Sequence, residues 1–141
     1  MDYAWRSWRF DLPAGLSDET VLTFLSRKGA AVDLNLTLTR ERLSGKLEPY
    51  LVDAIEQMKK QLSGYKLVDK SARKIAGKDG FMLEHSTTAK DGASLCLMQA
   101  YVAEGEELVI ITGTAASTER ARLHKSFEGV VASLKRVTTG P

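Results

Sequence analysis

Cysteine is almost absent from this 141-residue chain: Cys96 stands alone. No internal disulfide can form, so stability has to come from packing. Long apolar runs are missing too, and no window approaches the roughly 18 to 20 residues of a membrane span. The first ten residues, MDYAWRSWRF, carry an acid at position 2 and arginines at positions 6 and 9. They lack the apolar stretch and small-residue cleavage site of an export signal. The expectation is a cytoplasmic protein.

A charge excess of either sign is also lacking. Twenty basic residues stand among eighteen acidic ones, a net charge of +2, without the basic stripe that neutralises a run of phosphates. Nucleic acid is not an expected partner. Histidine is scarce, with only His85 and His124, and no HExxH, CxxC or GxSxG pattern occurs. Gly45-Lys46 lacks the glycine that would complete a phosphate-cradling loop. Glu84 and His85 are neighbours on a strand, so they face opposite sides and cannot work as a pair. Both histidines read as structural or solvated. The chain therefore offers no catalytic residues, no metal ligands and no cofactor motif, and an enzyme is not expected.

What is present suits one globular α+β domain, residues 1–141, with a core over about 6–136 and a frayed tail at 137–141. RSWRFDLP at 6–13 reads as a first or edge strand ending at proline. AGLSDE at 14–19 reads as a turn, and TVLTFLS at 20–26 as a second strand. AVDLNLTLTR at 31–40 alternates cleanly, with Val32, Leu34, Leu36 and Leu38 on one side and Asp33, Asn35, Thr37 and Thr39 on the other. Over 47–62 the period becomes helical through Leu47, Tyr50, Leu51, Ala54, Ile55, Met58 and Leu62. Pro49 lies in the first turn and Gly64 just past the end. Four more strands follow, YKLVDKSARKIA, FMLEHSTT, SLCLMQAYV and LVIITGTA, separated by GKDG, AKDGA and EGEE. The last segment returns to helical spacing through Leu123, Phe127, Val130, Val131 and Leu134, with Ser117 or Thr118 as the expected N-cap. The predicted order is βββ-α-ββββ-α, an antiparallel sheet of six to seven strands with two helices.

The segment SLCLMQAYV at 94–102 carries the functional question. Leu95, Leu97, Gln99 and Tyr101 point one way and Cys96, Met98, Ala100 and Val102 the other, so the strand has no wet side. Val21 and Thr23 alternate with Leu22 and Phe24, and Val109 and Ile111 with Leu108 and Ile110, in the same manner. If both helices take one face, an apolar surface remains on the other, to be covered by a partner or by curling of the sheet. Gln99 is either bonded within the fold or a polar anchor for a partner, because an unpaired buried amide costs roughly 1 to 3 kcal/mol. Cys96, between leucines, reads as a small buried hydrophobe.

Four segments in this order carry a resemblance: FDLP-x-x-L-x-D at 10–18, LTLTRERL at 36–43, QLSGYKL at 61–67 and L-x-L-M-Q-A-Y-V at 95–102. The chain resembles the DcrB-related small proteins of Mog1/PsbP-like α/β/α fold, and among them the Eag-type chaperones of bacterial type VI secretion. The resemblance implies a cytoplasmic, dimeric chaperone. Its partners would be the hydrophobic N-terminal helices of a secreted effector of the PAAR or Rhs type, shielded before loading onto the VgrG spike. It also implies a concave sheet face that receives those helices, here through Val21, Thr23, Leu97, Gln99 and Tyr101, with polar contacts from Asn35 and Thr37. In that role Gln99→Ala is expected to weaken or misregister the client without unfolding the chaperone. The rival expectation is a self-associating domain whose apolar sheet face is only a homodimer interface.

Overall fold

The computed structural model describes residues 2–5, 8–11, 13–15 and 21–135, with side chains described from residue 13 onward. Strands β1 (Asp2–Trp5) and β2 (Trp8–Asp11) pair as an antiparallel hairpin, which adds one strand to the expected order. The main sheet comprises β3 (Leu22–Lys28), β4 (Ala31–Arg42), β5 (Lys66–Ile75), β6 (Lys78–Thr88), β7 (Ser94–Glu104) and β8 (Glu107–Ala116). Its strands lie in the order β3-β4-β8-β7-β6-β5, and every pairing is antiparallel. Helix α1 (Leu47–Gln61) connects β4 to β5, and α2 (Arg120–Ser133) follows β8. This is the α+β architecture that the periodicities predict. Residues 6, 7 and 12 of the expected first strand, 16–19 of the expected turn, Thr20, residue 136 and the expected tail at 137–141 fall outside the described residues.

The helices take opposite faces of the sheet, the α/β/α arrangement that the resemblance implies, so the condition of both helices on one face is not met. Leu123, Phe127 and Val131 of α2 pack with Leu34, Leu36, Cys96, Met98, Ala100, Val102, Ile111 and Ala115. Leu51 and Ile55 of α1 pack instead with Leu43, Leu83, Tyr101, Leu108 and Ile110. The reason lies in β7 and β8: adjacent residues such as Ala100 and Tyr101, or Ile110 and Ile111, are all buried, so each face of these central strands needs its own cover. Cys96 sits in the α2 core at 4% exposure, where burial pushes its thiol pKa up.

Ion pairs latch α2 to three strands. Arg120 grips Glu84 of β6, Arg122 reaches Asp33 of β4 at 2.8 Å, and Arg73 of β5 meets Glu128 at 2.7 Å. The Arg120 guanidinium holds Glu84 below the usual carboxylate range. Asp33 joins this set through a register shift between Ser26 and Arg27, where Ser26 faces Leu34 but Arg27 faces Val32. The extra residue, Asp33, turns towards α2, so the unbroken alternation expected of 31–40 fails at its first step. No side-chain cap opens α2 either: Ser117 instead shares a 2.7 Å hydroxyl contact with Ser94, and Ser117–Glu119 form a 3-10 turn. Among the described residues, helix α1 has no comparable latch beyond the bond from the Tyr50 hydroxyl to Glu41.

The β5–β6 turn falls at Ala76 and Gly77, with φ of 52° and 76°, the pair of positive angles that a two-residue hairpin demands. The expected turn signal GKDG therefore splits, and Lys78, Asp79 and Gly80 belong to β6. Gly80 is needed there for space. A Cβ on it would come within 2.6 Å of the Tyr101 carbonyl oxygen, whereas the nearest atoms to one on Gly113 belong to side chains, methyls of Leu123 and Leu36 at 2.9 Å and the Phe127 ring at 3.3 Å. Both Gly80→Ala and Gly113→Ala are predicted to destabilise through overpacking, Gly113→Ala by about 1–3 kcal/mol and Gly80→Ala by more. The ground is that a backbone carbonyl cannot rotate away as a leucine methyl can. Urea unfolding of the two variants checks the order.

Candidate functional site: an uncharged strip beside α1

Register alone assembles the site. Cross-strand partners point to the same side, so Thr23, Thr37, Thr112 and Gln99 form one row across β3, β4, β8 and β7. Leu25, Asn35, Thr114 and Leu97 form the next. Tyr101 lies on the same face, beneath α1, opposite Ile110. Six of the seven residues singled out in the sequence thus share one face, and Val21 immediately precedes β3. Leu25, Thr112 and Thr114 are additions. Simple alternation from Thr23 and from Ile110 identifies them.

Exposure divides the face. Gln99 and Tyr101 are 7% and 2% exposed. Asn35, Thr37, Leu97, Thr112 and Thr114 are half-buried, and Thr23 is exposed. Val21 and Leu25 stand out at 53% and 46%. The two rows hold no ionisable residue in any of their eight positions, in a chain that is 27% charged. Thr23, Asn35, Thr37 and Thr114 have no side-chain hydrogen bond within the described residues.

The buried end of the strip is a closed polar network. The Tyr65 hydroxyl lies 2.6 Å from His85 Nδ1, and His85 Nε2 lies 2.7 Å from Gln99 Oε1. Gln99 Oε1 also accepts the Tyr101 hydroxyl at 2.9 Å, and Gln99 Nε2 donates to Thr112 Oγ1 at 3.3 Å. A carbonyl oxygen can only accept, so His85 Nε2 carries the proton and Nδ1 accepts from Tyr65. Gln99 therefore has internal partners on both ends of its amide, and its contact with the open strip runs through Thr112. Glu84 and His85 do face opposite sides, with Glu84 bound to Arg120.

Protonation states follow from burial. The fully buried His85 is pushed below its ordinary pKa by desolvation. Burial also raises Tyr65 and Tyr101, and burial followed by the Glu41 bond pushes Tyr50 up to about 12. All three phenols remain donors at neutral pH. No group of three or more His, Cys, Asp or Glu side chains among the described residues is placed to hold a metal ion. No helix of the described residues is long and apolar enough to cross a membrane. What the strip can do chemically is adsorb an uncharged, largely apolar surface while offering it a few hydrogen bonds.

The comparisons with known proteins agree with this architecture. The DcrB family profile matches residues 9–133, and the chain belongs to the DcrB family. A sequence search of curated proteins gives no match. Among solved structures, a Pseudomonas aeruginosa protein of unknown function, PA94, superposes with a TM-score of 0.81 at 20% identity, covering 99% of this chain and 98% of that one. LpqN of Mycobacterium tuberculosis, involved in cell envelope biogenesis, gives 0.58 at 16% identity over 86% of this chain and 85% of its own. The cyanobacterial PsbP of Synechocystis gives 0.54 at 16% identity over 94% and 89%. At these identities the likeness is one of fold, and it includes the PsbP-like arrangement that the sequence resemblance implies.

Two predictions follow from the network. Because the folded-state pKa of His85 lies below its ordinary 6.5, the unfolded chain binds the extra proton first as pH falls. Stability held above pH 6.5 is then lost on descending below that value towards the folded pKa. Thermal melts from pH 8 to 5 should show this loss, and His85→Gln should flatten it. Gln99→Ala is predicted to destabilise the fold by about 1–3 kcal/mol, a cost short of unfolding an ordinary domain, because it strands the His85 N–H and the Tyr101 hydroxyl. Urea unfolding measures the difference.

Proposed function

We propose that this DcrB-family protein is a cytoplasmic chaperone of the Eag type, which shields the N-terminal transmembrane helices of a type VI secretion effector and assists its loading onto the secretion spike. The observation that carries the reading is the strip itself: two rows of threonine, asparagine, glutamine and leucine without a charge, with Leu25 of the second row and the adjoining Val21 exposed. A charged ligand would lose its hydration there and find no counter-ion. A strand would find no backbone partners on a sheet face. A helix already satisfies its own backbone, so an apolar helix can lie on side chains alone, as it does in a bilayer. Covering a large aliphatic side chain completely gains about 1.5–3 kcal/mol, so half-exposed residues such as Val21 and Leu25 would each supply a fraction of that. Val21, Thr23, Asn35, Thr37 and Leu97 would meet the client directly. Gln99 and Tyr101 would support the strip from beneath α1. The work is binding, not catalysis.

The β3 edge favours a second reading. Leu22 and Phe24 lie on the α2 side of this strand, opposite Leu38 and Leu36, at 44% and 57% exposure. With Val21 and Leu25 they make an edge that is apolar on both sides, whereas β5 at the other edge sets Lys66, Lys70, Arg73 and Lys74 around its exposed Leu67 and Val68, the usual guard against pairing. A second copy joining at β3 would give the expected homodimer, with or without a client.

Co-expression with a carrier protein bearing a transmembrane helical hairpin separates the two. The chaperone reading predicts that the chain keeps the fusion in the soluble fraction and co-purifies with it. It also predicts that Leu25→Glu abolishes both while leaving the thermal midpoint within about 1 kcal/mol equivalent of wild type, as for an exposed position. A fusion that aggregates equally with and without the chain would leave only self-association.

A further inference from the structure

The two rows differ in a way that bears on which helix is bound. Thr23, Thr37 and Thr112 stand side by side on adjacent strands. Adjacent strands are about 4.8 Å apart, so the three hydroxyls form a rail about 10 Å long across the strand direction. The side chains of Thr23 and Thr37 have no hydrogen-bond partner among the described residues. Thr112 Oγ1 accepts from Gln99 Nε2, which leaves its own proton to donate. Gln99 cannot turn away, because its Oε1 is held by both His85 and Tyr101. The buried network therefore fixes the polarity of the rail at its inner end.

A helix laid along this row repeats every turn, about 5.4 Å, close to the strand spacing. One residue per turn can then face each threonine in succession, with a mismatch of about 1 Å over the three. A bulky aliphatic residue at that position would hold the helix off and leave the hydroxyls unpaired. A small or hydroxyl-bearing residue lets the backbone approach and accept the hydrogen bond, which is how polar and small residues work between helices in membranes. The neighbouring row, with Leu25 and Leu97, would take the aliphatic side of the same helix.

Building on the chaperone reading, we propose that the Thr23–Thr37–Thr112 rail selects apolar helices that carry a small or hydroxyl residue once per turn along one face, and that this is the specificity determinant of the site. Three leucine-rich 21-residue peptides test it. One has three serines aligned one per turn, one has three serines spread around the helix, and one has none. Binding of each to the full chain is read by fluorescence anisotropy in dilute nonionic detergent. The aligned peptide should bind at least about fivefold tighter than the spread one, and Thr23→Val with Thr37→Val should bring that ratio to about one. Neither hydroxyl has a partner among the described residues, so the double variant should fold normally, and circular dichroism checks this. Equal affinity for aligned and spread peptides, or a preference that survives the double variant, overturns the rail while leaving the chaperone reading standing. If none of the three peptides binds, both fall.

Discussion

The middle of the sheet sets the terms for the rest of the molecule. β7 and β8 are apolar on both sides, and a sheet strand of that kind is stable only when both faces are kept from water. α2 meets the demand on one face with Leu123, Phe127 and Val131, reinforced by arginine–carboxylate pairs to β4, β5 and β6. α1 meets it on the other with Leu51 and Ile55, without such latches among the described residues. Two helices divided between two faces cannot reach the whole width of either. On the α1 face, the part left beyond the helix is the β3–β4 side, where the uncharged strip lies.

The join between covered and open surface is managed by polar groups. An amide beneath a helix would be costly if any of its atoms lacked a partner. Tyr65, His85, Gln99, Tyr101 and Thr112 form a connected set in which each of the amide's polar atoms is used. Keeping His85 neutral is part of that arrangement, since burial disfavours its charged form. The network thus has a structural role at its buried end and, in the reading proposed here, presents a hydroxyl of fixed polarity at its open end.

Much of this was legible in the residues. The 3.6-residue period over 47–62 locates α1 to within a residue of its ends, Leu47 and Gln61, and the double-sided apolar pattern of 94–102 locates the strand that needs two covers. The candidate face was legible too, because alternation is strict along β7 and β8. Three features were not. The division of the helices between faces depends on how the chain crosses the sheet, which periodicity does not encode. The turn of Asp33 towards Arg122 depends on a bulge opposite Ser26. The partners of Gln99 depend on register: His85 is paired with Leu97 and Leu83 with Gln99, so the His85–Gln99 bond is a diagonal contact visible only once the strands are aligned.

The account stands or falls on whether the strip holds apolar helices of another protein. Purification of the tagged chain from its native cells at endogenous level, with mass spectrometry of what accompanies it, tests this most directly. The account predicts a dominant companion with transmembrane helices near its N-terminus, lost when those helices are deleted. Recovery of the bare chain or its homodimer, from cells shown to express such a protein, would contradict it.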